Sequence, residues 1–205
     1  ATTEIYTLSL HDALPILALA VTRAQADEGV ASAARMAFTL LGPVAVLGIA
    51  GRRIVYQTRA DGEFTRRTRA ALLIAIGVVF ISCFLILTMT RTPLYPWVLP
   101  GFDALAWSAI LGFAVNHSSV MAAVLPAANL RAEGRTFAIG VGRVCATIAA
   151  VVFVWLHSPF DDVADVAWCV CSASGAYFVA LSIARQVTGG GPSVPAETTT
   201  AGGVR

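Results

Sequence analysis

Apolar residues fall into five long blocks along this 205-residue chain, at about 31–51, 70–90, 101–126, 136–156 and 163–183. Each block approaches the ~20 helical residues needed to cross a hydrocarbon core. The period-two alternation of a barrel strand is absent. Backbone groups in lipid must bond within their own segment, so the blocks predict helices. The expected fold class is all-α: a polytopic membrane helix bundle of about five transmembrane helices. The connections at about 91–100 and 157–162 are short, which predicts hairpins between neighbouring helices.

Composition agrees with a bilayer. Hydrophobic residues make up 57% of the chain and charged residues 13%, with a mean hydropathy of +0.75. A soluble domain is nearer half apolar and a quarter charged. The net charge of +2 is too small to imply a nucleic-acid partner. Membrane lipids are the expected partners. Cys83, Cys145, Cys169 and Cys171 all lie in apolar blocks, where thiols behave as small hydrophobes. The Cys169-Val170-Cys171 pair lacks the further ligands of a structural metal site. Neither a metal, a cofactor nor a disulfide framework is implied.

Every basic residue is an arginine, and the arginines alternate by side. Arg52, Arg53, Arg59, Arg66, Arg67 and Arg69 crowd the connection after the first block. Arg131 and Arg135 follow the third block, and Arg185 and Arg205 follow the last. Arg23, Arg91, Asp161 and Asp162 fall on the opposite side. The positive-inside rule then expects the C-terminus in the cytoplasm. The Arg66-Arg67-Thr68-Arg69 cluster reads as a topology signal or as a contact for anionic lipid.

The ends read differently from the middle. Ala1 to Ile16, ATTEIYTLSLHDALPI, resembles the in-frame translation of a short-read sequencing adapter. Residues 1–16 are therefore set aside as an artefact, so His11 and Asp12 carry no functional weight. Residues 17–30 then read as the remnant of a preceding helix and outer loop, 31–185 as a five-helix transmembrane domain, and 186–205 as a disordered cytoplasmic tail.

Candidate chemistry lies where polar groups interrupt the apolar blocks. Arg143 sits seven residues into the fourth block, about 10 Å deep, and Asn116 and His117 about ten residues from the inner end of the third, roughly 15 Å. Ser108, Gly112, Asn116 and Ser119 share a helical face, as do Thr136, Gly140, Arg143 and Thr147. A mid-membrane arginine costs at least about 2.5–3.5 kcal/mol on insertion scales, so it should face a cavity or a partner. One reading is a water-accessible site lined by Asn116, His117 and Arg143, with Ser108, Gly112 and Thr147 beside it. The other is a helix-packing surface of small residues, with Arg143 reaching to the interface or to backbone carbonyls. Asp103 is a helix N-terminal charge or a gate residue. Arg52, Glu133 and Arg135 are caps, helix-end latches or inner-gate groups.

Five closing spans, with a basic connection after the first and a short basic one after the third, resemble the last five helices of a twelve-helix major facilitator superfamily transporter. Gly51-Arg52-Arg53 resembles its glycine-arginine turn, and Gly142-Arg143-Val144 a glycine-arginine step in a later helix. More narrowly, the run Gly51-Arg52, Asp103, Asn116, Pro126 and Glu133 resembles equilibrative nucleoside transporters. Gly48 stands where that pattern has an Asp, and Asn116-His117-Ser118 where it has Asn-Gly-Tyr. The resemblance implies alternating-access transport of a small polar solute, a nucleoside or nucleobase in the narrower branch. Other porters of the superfamily carry drugs, sugars or organic acids. It also implies that this chain is a C-terminal fragment whose partner is the missing N-terminal half. The rival classes are a non-transporting membrane scaffold or signalling subunit, and an intramembrane enzyme. With one deep histidine and no deep carboxylate, the chain is not expected to be an enzyme.

Overall fold

The computed structural model describes residues 28–60, 66–93, 97 and 104–188, and among them no strand occurs. The described residues form seven α-helices: α1 (Glu28–Leu40), α2 (Gly42–Ala60), α3 (Arg66–Thr88), α4 (Trp107–Ala122), α5 (Val124–Ala132), α6 (Thr136–His157) and α7 (Val163–Thr188). Four stretches are long and apolar enough to cross a membrane: Thr68–Arg91, Trp107–Ala132, Thr136–His157 and Val163–Val187. The α1–α2 pair, bent by 52°, adds a fifth where the pair is counted as one broken span. The chain is an all-α membrane helix bundle.

Two prolines explain where the helices break. A proline ring collides with the carbonyl four residues earlier and donates no backbone hydrogen bond. Pro43 would meet the carbonyl of Thr39, and the chain turns at Leu41. The pieces stay stitched there, by Leu41 N–H to the Ala37 carbonyl at 3.1 Å and Ala45 N–H to the Leu41 carbonyl at 3.0 Å. Pro126 would likewise meet the carbonyl of Ala122, and the break falls at Ala123. Here too the stitches survive, Ala123 to Ser119 at 3.0 Å and Ala127 to Ala123 at 3.1 Å. Pro126 occupies the first turn of α5, where a missing N–H costs little. The third span therefore continues past Pro126 to Ala132, six residues beyond the expected end, and it starts at Trp107 rather than 101.

The first span also differs from expectation. Helix α2 runs on to Ala60, so Gly51-Arg52-Arg53 is helical and forms no turn. Gly51 is a contact: a Cβ there would stand 3.0 Å from the Met121 methyl of α4. Residues 186–188, expected in the tail, belong to the last turn of α7. The segments 1–27 and 189–205, including the adapter-like residues 1–16, lie outside the described residues.

Helix α7 is the centre of the bundle. It packs along α4 on one side and α6 on the other, and it also touches α1 and α5. Ala167, Cys169 and Leu181 of α7 are fully buried. Helix α3 packs on α4 and presents Leu73, Ile74, Val78, Ile81 and Leu85 outward. Helix α6 exposes a comparable face: Phe137, Val144, Ile148, Val151, Trp155 and Leu156.

The turns are chemically specified. Gly134 takes φ +72° between α5 and α6. Its N–H bonds the Arg131 carbonyl at 2.9 Å, and Arg135 N–H bonds the Leu130 carbonyl at 2.8 Å. This is the paired closure of a Schellman motif, which a residue with a Cβ enters at a cost. At the opposite end Arg91 clasps the α3–α4 hairpin. It donates to the Leu105 carbonyl at 2.8 Å and lies 5.0 Å over the Trp107 ring. Before α7, the Asp165 carboxylate accepts from the N–H groups of Asp161 and Asp162, each at 3.3 Å, half of a capping box.

Candidate functional site

On α4 the polar stripe is mostly occupied with packing. A Cβ on Gly112 would lie 2.9 Å from the Ala167 Cβ, so this glycine lets α4 and α7 approach backbone to backbone. The His117 ring nitrogen Nδ1 is 3.0 Å from the Phe113 carbonyl, and Ser118 donates to the Ala114 carbonyl at 2.8 Å. Both side chains are satisfied by their own helix. Ser108 is exposed. Asn116 differs: it is 9% exposed and makes no side-chain hydrogen bond among the described residues. It lies one turn from Gly112, on the face turned toward α7.

On α6, Thr136 and Gly140 are exposed, and Gly140 has nothing within 4 Å of a would-be Cβ. Thr147 donates back to the Arg143 carbonyl at 3.1 Å. The packing glycine is the neighbour the stripe omits. A Cβ on Gly142 would lie 3.1 Å from Leu181 and 3.2 Å from the Tyr177 ring.

Asn116 and Arg143 were expected at similar depth on adjoining helices. The structure does not bring them together. Helix α7 stands between α4 and α6, which make no contact with each other. Measured from the α5–α6 turn, Asn116 is sixteen residues up and Arg143 seven. At 1.5 Å per residue these heights are about 24 Å and 10 Å. The continuation of α5 past Pro126 creates the difference.

What surrounds Arg143 is a group the sequence reading did not single out. Because Gly142 has no side chain, the Tyr177 ring lies against α6. Arg143, Arg131 and Tyr56 are all within electrostatic range of the Tyr177 hydroxyl. Tyr56, on α2, carries the Arg131 guanidinium over its ring at 4.7 Å. Four helices, α2, α5, α6 and α7, thus converge two arginines and two tyrosines at the arginine-rich end. Tyr177 is buried, and Arg143, Arg131 and Tyr56 are half-buried. The Arg143 Nε is sealed from solvent with no hydrogen-bond partner among the described residues. An orphaned polar atom of this kind costs about 1–3 kcal/mol. Apolar walls enclose the group: Ala123, Ala127, Leu130, Ile139, Ala146, Ala173 and Leu181. The signal available in the sequence was a tyrosine placed mid-way along an apolar helix, where its hydroxyl needs a partner.

Of the expected gate residues, the described side chains are those of Glu133 and Arg135. Glu133 pairs with Arg135 at 3.6 Å, with both side chains more than a third exposed. A pair of that kind contributes at most about 1 kcal/mol. The second Arg135 nitrogen, Nη1, is buried without a partner. Asp103 and the side chain of Arg52 lie outside the described residues. Among the described residues no three His, Cys, Asp or Glu side chains gather as metal ligands.

Comparison with known proteins found no match: no family model, no curated protein and no solved structure is similar to this chain.

Proposed function

We propose that this chain forms part of a transporter that moves a small polar solute across a membrane by alternating access. One observation carries the reading: Arg143, inside an apolar membrane-length helix, keeps a buried guanidinium nitrogen unbonded beside Tyr177. A purely structural arginine at that depth would have its donors taken up by carbonyls or a carboxylate. Such a group serves a pathway when the solute or water takes the free donor. In this reading the alternating motion works across the α6–α7 seam, where Gly142 makes the contact close. Further helices, in the manner of the major facilitator superfamily, would complete the other wall of the pathway. Arginine-rich helix ends would face the cytoplasm.

The test is uptake by cells expressing the chain within its full reading frame. Radiolabelled nucleosides and nucleobases, sugars, organic acids and a cationic drug serve as separate probes. Arg143→Gln should lower uptake of the accepted class at least about tenfold, the loss of one charged hydrogen bond, with surface expression unchanged. Equal uptake by Arg143→Gln and the unmodified protein would remove Arg143 from the mechanism.

A second reading has its own support. The Gly112–Ala167 contact makes the α4–α7 seam a close packing surface, and His117 and Ser118 on α4 and Thr147 on α6 each bond a carbonyl of their own helix. That geometry suits a non-transporting scaffold or signalling subunit. Absence of uptake for every probe, with a stable expressed protein, would favour it.

A further inference from the structure

We propose that Arg131 and Arg143, backed by Tyr56 and Tyr177, form an oxyanion site that binds a carboxylate or phosphate at the arginine-rich end of the bundle. The inference deepens the transport reading, on which it rests where the anion is a soluble acid. It begins from charge. Arg131 lies over the Tyr56 ring, Arg143 follows the glycine that the Tyr177 ring covers, and their neighbours Leu130 and Ala146 share one buried cluster with Tyr177, so two positive charges gather in one neighbourhood. No carboxylate among the described residues pairs with either, and the nearby Glu133 is taken by Arg135. Two like charges among apolar walls repel strongly, because low local polarity magnifies the interaction. An anion between them removes that repulsion.

The donors are arranged for an oxyanion rather than for a neutral solute. A guanidinium presents planar forks of N–H groups that match the two oxygens of a carboxylate or phosphate. Arg131 spends its face on the Tyr56 ring, which leaves its edge for hydrogen bonding. Arg143 keeps Nε unbonded. Arg131 stands in the last turn of α5 and Arg143 two turns into α6, so an anion entering from the arginine-rich end meets Arg131 first. Two sources offer this chemistry: a dissolved small acid, or the headgroup of an anionic lipid.

Equilibrium binding to the purified full chain in neutral detergent separates them. The readout is the concentration-dependent rise of the unfolding midpoint, with chloride at equal ionic strength as reference. The probes are succinate, inorganic phosphate, phosphatidylglycerol and phosphatidylcholine. A rise with succinate or phosphate that Arg143→Gln and Arg131→Gln each weaken at least about tenfold supports the site and a soluble acid. A rise with phosphatidylglycerol, not phosphatidylcholine, weakened by the same variants, supports the site and a lipid. Tyr177→Phe keeps the ring against Gly142 and should weaken binding less. Arg143→Lys keeps the charge and guards against misfolding; it should bind between the unmodified protein and Arg143→Gln. No rise with any anion overturns the proposal, and so does a rise that both glutamine variants leave intact. Anion binding without uptake of any solute defeats the transport reading and leaves the site standing. Uptake of a neutral solute without anion binding defeats the site alone.

Discussion

Replacing Gly112 by alanine tests the close approach of α4 and α7. The added methyl would stand 2.9 Å from the Ala167 β-carbon and 3.3 Å from its carbonyl carbon. Non-bonded carbons rest about 3.5–4.0 Å apart, so α4 and α7 must separate by about 0.6–1.1 Å. Neither obstructing atom belongs to a side chain that can swing aside. The buried residues around the seam, Ala109, Phe113, Val166 and Val170, would lose contact together. Overpacking of this kind costs about 1–3 kcal/mol. Alanine also favours helix over glycine by up to about 1 kcal/mol, which works in the opposite direction. Gly140→Ala isolates that term, because nothing lies within 4 Å of its new methyl. The difference between the two variants should therefore be about 1–3 kcal/mol, with Gly112→Ala the less stable. Reversible unfolding in mixed micelles, titrated with dodecyl sulfate, measures both. Equal stabilities, or a more stable Gly112→Ala, would refute the packing argument.

Two further perturbations probe the connections. Gly134→Ala meets no neighbour but must hold φ +72°, so the same titration should show a loss of about 1–2 kcal/mol, with Gly134→Asn milder. Arg91→Gln removes the 2.8 Å bond to the Leu105 carbonyl and the stacking on Trp107, and should cost about 1–3 kcal/mol. Adding Trp107→Leu to Arg91→Gln should cost less than the same change made alone, because the stacking is then already gone.

The number and rough position of the spans were legible because length and hydropathy dominate in lipid. The blocks at 136–156 and 163–183 agree closely with α6 and α7. The third block misled for an identifiable reason. Pro126 looks like a helix end, yet it sits in the first turn of α5, and the break one turn earlier absorbs its effect. That local accommodation shifts Asn116 to a different height from Arg143. Neighbour relations were less legible than spans. Consecutive helices in sequence suggested that α4 and α6 adjoin, whereas α7 inserts between them. Spacing alone also could not rank the glycines: Gly112 and Gly140 lie on equivalent stripes, but one touches Ala167 and the other touches nothing. Arg143 stood out as a charge in an apolar helix. Its companions did not, because Tyr56, Arg131 and Tyr177 come from three other helices and meet only through tertiary packing.

Solvent access to position 143 tests the central claim most directly. With Cys83, Cys145, Cys169 and Cys171 replaced by alanine, a single Arg143→Cys thiol is exposed to a sulfonated, membrane-impermeant methanethiosulfonate at the arginine-rich face of sealed vesicles. A thiol at Ile148, on the outward apolar face of α6, and one at Gln186, at the end of α7, are the lipid and solvent references. The account predicts labelling at 143 approaching that at 186, with 148 unreactive. A thiol at 143 as silent as the one at 148 would contradict a watery route to this arginine.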